Sequence, residues 1–303
     1  MTVALLVAAV IGASFVPRFL DARYLFDRSS LYMETGIMAV AMTFVIIGGH
    51  IDLSCASILA LVGAIVTMLY AKAHVPFVPL LLLAPVIGGI LGAINGVVVA
   101  NLGLPSLIVT LATMAAYRGF AQVLIGDQSV APPKWFVGID EQVIAGTPIA
   151  LPLVIFFAIA IVGGLVLHRT VAGRWVYALG TSPRAALYSG VPVKKVTIGF
   201  FTLSGVLSGV AGMMMVSRLQ YARWDNARGL ELDVITAVVL GGTDIFGGRG
   251  TMFGTVVALA LVAVVQTVMG LENVAPGTRT TANGALLIFA LLATNAVARL
   301  RKK

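Results

Sequence analysis

Long apolar runs, each interrupted by a few polar or charged residues, divide almost the whole chain. Runs with few or no charges cover Met1–Val16, Gly36–Ile51, Leu53–Ala71, Val75–Asn101 and Leu104–Ile125. They continue at Val143–Leu167, Val196–Ser217, Leu232–Phe246, Thr251–Leu271 and Thr280–Ala298. A helix needs about 20 mainly apolar residues to cross a hydrocarbon core of about 30 Å. The runs are continuous, whereas a membrane barrel would show alternating segments of about ten residues. The pattern therefore predicts an all-α polytopic membrane helix bundle of about ten transmembrane helices, with the joins at Asp52 and Asp244 the least regular. The first run is short and lacks a preceding Lys or Arg, so it does not read as a secretory signal. A start upstream, or a first helix lying shallow, fits it better.

Composition agrees. Of 303 residues, 59% are hydrophobic and 11% charged, against about 45–50% and about 25% in soluble domains. A mean hydropathy of +1.03 leaves too few groups to face water with. This excludes a soluble enzyme, a disordered regulator and a nucleic-acid-binding module. The net charge of +8 sits in short breaks between apolar runs, where it reads as membrane topology. The one cysteine, Cys55, excludes an intramolecular disulfide, and His50, His74 and His168 are too scattered for a metal cluster. No metal and no cofactor are expected.

The stretch His168–Lys195 carries Arg169, Arg174, Arg184, Lys194 and Lys195 without one Asp or Glu, and the tail ends in Arg299, Arg301, Lys302 and Lys303. Both belong in the cytoplasm by the positive-inside rule. With ten spans both termini then face the cytoplasm, and the basic stretch joins spans six and seven. The basic residues split evenly between the two sides on this assignment. Ten of the twelve acids fall outside, leaving Asp52 and Asp244 within.

No linker divides the chain, so residues 1–303 read as a single transmembrane domain with a coupling loop at 168–195. Val45-Ile-Ile-Gly-Gly-His-Ile-Asp52 recurs as Val238-Val-Leu-Gly-Gly-Thr-Asp244. Paired glycine-interrupted apolar segments are the mark of a transporter repeat, although two tight turns would also need glycine. Gly88, Gly92, Gly96 and Ala100 form a stripe of small residues for close helix packing.

No lysine follows a glycine, so the phosphate loop of a nucleotide-driven pump is missing, as is His-Glu-x-x-His. No catalytic residue is assigned. A charge at mid-bilayer costs about 2.5–3.5 kcal/mol on insertion scales, which makes Asp52, Arg118 and Asp244 candidates for a translocation pathway. The alternative places all three at helix ends, with the aspartates capping the next helix and Arg118 reaching for the interface. Asn95, inside span four, serves either a pathway or a helix–helix hydrogen bond.

Within the basic loop, Ser182 suits an N-cap, Pro183 the first helical position and Gly190 the stop after the last turn. A helix of about two turns at Pro183–Ser189 follows. A mere connection needs 2–8 residues, so 28 residues point to a docking surface for a cytoplasmic protein; an amphipathic helix resting on anionic membrane lipid is the alternative.

These residues make the chain recognisable. It resembles the permease subunits of bacterial ABC importers for monosaccharides, the family of the ribose, xylose, rhamnose and autoinducer-2 systems. The matching segments are Gly48-Gly-His-Ile-Asp-Leu-Ser54, Ile94-Asn-Gly96, Pro105–Leu111, Tyr117-Arg-Gly119, His168–Arg174, Ala185–Val193, and Ala237–Gly242 through Phe246-Gly-Gly248. His50 departs from the Ile or Gly common in the first of these. The resemblance implies a subunit of the inner membrane that pairs with a second, identical or homologous, permease. It also implies two cytoplasmic ATPase subunits on the basic loop, a periplasmic sugar-binding protein, and no nucleic-acid partner. Arg174, Pro183, Arg184, Ala185, Tyr188 and Gly190 would then couple to the ATPase. Glu231–Leu240 looks closest to rhamnose-type or autoinducer-2-type permeases. An ion-gradient-driven secondary sugar transporter is the alternative; its carboxylate relay could use only Asp52 and Asp244.

Overall fold

The computed structural model describes residues 31–139 and 150–275, with 277–279, 281, 282, 284, 285 and 288 beyond them. Ten α-helices follow in order: α1 Met33–Ile47, α2 Cys55–Ala73, α3 Phe77–Leu102, α4 Ser106–Ile125, α5 Leu151–Arg169, α6 Val171–Thr181, α7 Pro183–Tyr188, α8 Val193–Leu219, α9 Leu230–Leu240 and α10 Met252–Leu271. A 3-10 turn at Lys134–Phe136 and a bridge between Val130 and Ala222 lie between them. Of the ten expected spans, the first lies outside the described residues, as do all but a few positions of the tenth and the basic tail.

Among the described residues six helices are long and apolar enough to cross a membrane: α2, α3, α4, α5, α8 and α10. The spans expected at Gly36–Ile51 and Leu232–Phe246 are instead the short helices α1 and α9, of 15 and 11 residues. Both stop at a pair of glycines. At the end of α1 the Gly49 N–H donates to the Ile46 carbonyl (2.9 Å) and His50 N–H to that of Val45 (3.0 Å), with Gly49 at φ +81°. At the end of α9 Gly242 N–H donates to Val239 (2.9 Å) and Thr243 N–H to Val238 (3.4 Å), with Gly242 at φ +88°. This is the Schellman stop, which uses a left-handed residue to satisfy the last carbonyls of a helix. The repeated Gly-Gly is thus one structural device used twice. α1 and α9 also pack on each other.

Every residue of α1 is buried, so it is enclosed all round rather than on one face. Glu34 at its start meets Arg218 near the end of α8 at 2.7 Å. Halfway along, the Thr43 hydroxyl shares a 2.9 Å hydrogen bond with that of Thr255 on α10. α3, α4 and α5 instead turn large apolar side chains outward, among them Leu82, Val123 and Ile161. Exposed apolar faces of this extent suit a lipid surround.

The glycine stripe of α3 packs antiparallel on α8. A Cβ at Gly88 would strike the Gly205 carbonyl, one at Gly92 the Phe201 carbonyl, and one at Gly96 would lie 2.8 Å from the Ile198 Cα. From the other side Gly205 and Gly209 meet the carbonyls of Gly88 and Ala84. Helices in lipid gain nothing from hydrophobic exclusion, so close backbone approach supplies their association. Replacing Gly92 by Val should lower the midpoint of thermal unfolding in detergent by several degrees. Gly119→Val, where a side chain meets open space, should leave it unchanged; equal midpoints for the two variants would refute the packing role.

Candidate functional site

The break between α1 and α2 buries a carboxylate. Asp52 is fully buried in the segment that joins the two helices. Its Oδ1 accepts from the Ser54 backbone N–H (2.9 Å) and the Ser54 hydroxyl (2.6 Å), and its Oδ2 accepts from the Ser204 hydroxyl of α8 (2.6 Å). Asn95 on α3, also fully buried, donates Nδ2–H to Ser54 Oγ (2.7 Å), while the Tyr117 hydroxyl of α4 donates to the Leu91 carbonyl (3.0 Å) and lies 3.5 Å from Asn95 Oδ1. α4 also clasps the joining segment: Ser106 Oγ accepts from the Ile51 N–H (3.2 Å) and Thr110 Oγ1 donates to the Ile51 carbonyl (3.2 Å). Buried polar groups in a dry interior need partners. Here α2, α3, α4 and α8 converge to supply them.

His50 precedes this network, its ring packed on Phe200 and Phe201 at centroid distances of 5.3 and 5.9 Å. The imidazole fills a corner between the broken helix and α8, which gives the departure at this position a packing role.

The second break meets the end of the bundle that carries α6 and α7. The turn after α9 is shaped by Asp244, whose Oδ1 accepts from Phe246 N–H (3.0 Å) and whose backbone N–H donates to the Arg249 carbonyl (2.9 Å). Gly248 N–H then donates to the Ile47 carbonyl at the end of α1 (2.8 Å). Three glycines meet there. A Cβ at Gly247 would lie 2.7 Å from the Gly49 Cα, and one at Gly180, on α6, would strike the Ile47 carbonyl. The Tyr177 hydroxyl of α6 donates to the Gly250 carbonyl (2.7 Å), and burial pushes its phenol above the ordinary value, which keeps it a donor. His168 Nε2 accepts from Met252 N–H at 3.4 Å. α6 is therefore joined by close backbone contact to the end of α1 and to the turn that follows α9.

The basic stretch holds two helices where the sequence pattern marked one. α6, missed in the sequence, is capped by Thr170, whose Oγ1 accepts from Gly173 N–H (3.3 Å). α7 follows with Ser182 Oγ accepting from Ala185 N–H (3.3 Å), Pro183 in its first turn and Gly190 at φ +80°. It ends in the same stop as α1 and α9: Gly190 N–H to Leu187 (3.1 Å) and Val191 N–H to Ala186 (3.0 Å). Ala186 anchors α7 inward, while Arg184, Ala185 and Gly190 are exposed, as is Arg174 on α6. Tyr188 is 90% exposed, Phe246 81% and Leu187 60%, so this end offers an apolar and basic surface.

The four pathway candidates do not converge. Asp52 and Asn95 meet through Ser54. Asp244 belongs to the partly exposed turn beside Gly180, and it does not cap α10; Thr251 does, accepting from Gly254 N–H (3.0 Å). Nor does Asp52 cap α2, whose N-cap is Ser54. Arg118 lies toward the opposite end of the bundle, where it donates to the carbonyls of Trp224 (2.8 Å) and Asn226 (2.6 Å) and latches the loop at 221–229 onto α4. In that loop the Arg223 guanidinium holds the Asp225 carboxyl below the usual carboxylate range. Ser54 and Tyr117 stood only inside matching segments, with no role assigned, and Ser204 was not singled out at all, since a polar side chain facing a helix neighbour carries no periodic signal. Among the described residues no group of three His, Cys, Asp or Glu could hold a metal ion.

Residues 24–293 match the family model described as branched-chain amino acid transport system / permease component. The autoinducer 2 import system permease protein LsrD of Escherichia coli K12 is 34% identical over 293 residues, covering 94% of this chain and 88% of the relative. The proteins of that name from Escherichia coli O9:H4 and Shigella flexneri match to the same extent. No solved structure matches significantly.

Removing either partner at the Asp52–Ser204 contact leaves a buried group unsatisfied, at about 1–3 kcal/mol each. In reversible unfolding from mixed micelles, Asp52→Ala and Ser204→Ala should each destabilise by that order. The double variant should fall short of their sum by at least about 0.5 kcal/mol; strict additivity would dissolve the network.

Proposed function

Since the chain belongs to the branched-chain amino acid transport system permease component family, we propose that it is the membrane gate of an ATP-driven importer for a monosaccharide-like solute. The name shared by the three relatives supports a small, autoinducer-2-like or deoxyhexose-like cargo. As a permease component it is a multi-pass protein of the bacterial inner membrane. The end with α6 and α7 faces the cytoplasm, in accord with its basic, acid-free sequence.

One observation carries the coupling. α6 sits on the end of α1 and on the turn after α9 through glycine contacts, with backbone against backbone at Gly180, Ile47 and Gly247, and α7 follows directly from α6. Two ATPase subunits dock on α7 of this permease and of a second one, reading Arg174, Arg184, Ala185 and Tyr188 on the exposed surface. Pro183 and Gly190 keep the helix ends sharp. Closure of the ATPase pair presses α7. Ser182 N–H, bonded to the Ala178 carbonyl (3.1 Å), ties α7 to α6, and no flexible side chain intervenes between Gly180 and α1. The movement so reaches both broken helices and flips a bistable bundle between inward-open and outward-open. A periplasmic binding protein releases the solute to the passage between the permeases.

Asp52 and Asn95, at the α1–α2 break, line that passage when the bundle opens. Arg118 holds the loop at 221–229 on the binding-protein side, and Asp244 shapes the turn that receives α6. An ion-driven transporter would need a relay of carboxylates through the bundle. Asp52 is surrounded by serine and asparagine, and Asp244 stands apart on its surface turn.

In cells, Arg184→Glu should cut uptake of radiolabelled autoinducer 2 or rhamnose at least tenfold while the permease still inserts and dimerises. Normal uptake of whichever solute the parent carries would remove α7 from the docking role. Depleting ATP while sparing the ion gradient should abolish uptake by the parent; persistence would favour the ion-driven reading.

A further inference from the structure

α8 presents Lys195, Gly199, Leu203 and Leu207 at four-residue intervals, hence along one face. These residues line two cavities of about 470 and about 380 Å³ that share Phe44, Val166 and Leu203, so the two make one groove bordered by α1, α5, α6 and α8. The twelve residue steps from Lys195 to Leu207 rise about 18 Å. Half of a hydrocarbon core of about 30 Å is close to that depth. The wall is apolar from Phe44 and Val162 to Leu207, and Lys195 and Trp175 stand at the mouth, the end that carries α6 and α7. No acidic residue lines either cavity. Arg169, Arg174 and Lys194 are exposed in the same acid-free stretch.

A trough one leaflet deep, with a mouth of a single sign, asks for an extended hydrocarbon chain bearing a negative head. Inorganic phosphate would leave the trough empty. A zwitterionic headgroup would bring an ammonium to a mouth with no carboxylate to receive it. From this charge complementarity and length we infer that the groove binds one anionic phospholipid, its acyl chain along Phe44, Leu203 and Leu207 and its phosphate at Lys195. Trp175 belongs to α6, so the lipid braces α6 against α8. The site stands on geometry alone and does not rest on the transport reading.

The chain has three tryptophans. With Trp135 and Trp224 replaced by Phe, Trp175 reports on the groove. The full chain is placed in phosphatidylcholine vesicles carrying a minor fraction of lipid brominated on its acyl chain. Brominated phosphatidylglycerol should quench Trp175 several-fold more than brominated phosphatidylcholine at equal content. Lys195→Gln should erase that difference. Gly199→Leu, whose Cβ meets nothing within 4 Å, should fill the mouth without disturbing the bundle and weaken quenching by the anionic lipid. Equal quenching by the two lipids in the parent would overturn the proposal, as would a preference that survives Lys195→Gln. Loss of the preference on adding inorganic phosphate would mean a phosphate site and refute the lipid. Absence of quenching by either lipid would mean that protein, a second copy or another segment of this chain, covers the groove, and would refute it too.

Discussion

A helix that stops inside a membrane bundle must find partners for its last carbonyls and for the chain beyond them, because hydrocarbon offers no hydrogen bonds. The structure depends on how that requirement is met at two places. α1 and α9 both close on themselves with a Gly-Gly stop, which satisfies the carbonyls without side chains. The segment after α1 then borrows Ser54, Asn95, Ser106, Thr110 and Ser204 from the helices around it. The buried Asp52 follows from this arrangement: an unmatched carboxylate there would be expensive, and a fully bonded one ties several helices to one level of the bundle.

The two breaks are built alike but serve different neighbours. The first lies among helices and is polar. The second lies against α6 and is held by glycine backbone. Gly180, Gly247 and Gly49 touch so closely that any side chain would separate the elements. Contact of that kind has little slack, since packed backbones can shift together but cannot flex independently. It holds α6 firmly against the interior, and α7 follows α6 across Ser182 alone.

Much of the outline was legible along the chain. Helix positions followed from apolar runs, since a membrane span is a composition before it is a shape. The α7 boundaries followed from Ser182, Pro183 and Gly190, because caps are local chemistry. The glycine spacing of α3 announced a close helix contact, and the repeated Gly-Gly announced two alike turns. Hydropathy failed where an apolar run outlasts its helix: α1 and α9 stop at glycines inside runs that look long enough to span. α6 was hidden because a short interfacial helix in a basic stretch has no long apolar signature.

The residues of this chain by themselves determined a helical membrane bundle, the glycine stops and the capped helix on the basic loop, since each rests on composition or on interactions between near neighbours in sequence. Only the tertiary structure decided that Asp52 and Asn95 meet through Ser54, that Arg118 and Asp244 lie apart from them, and that α6 bears on the end of α1 and the turn after α9. Those pairings join positions tens to hundreds of residues apart. Which polar side chain finds which depends on how the helices rotate and settle against one another, and that is a property of the packed whole.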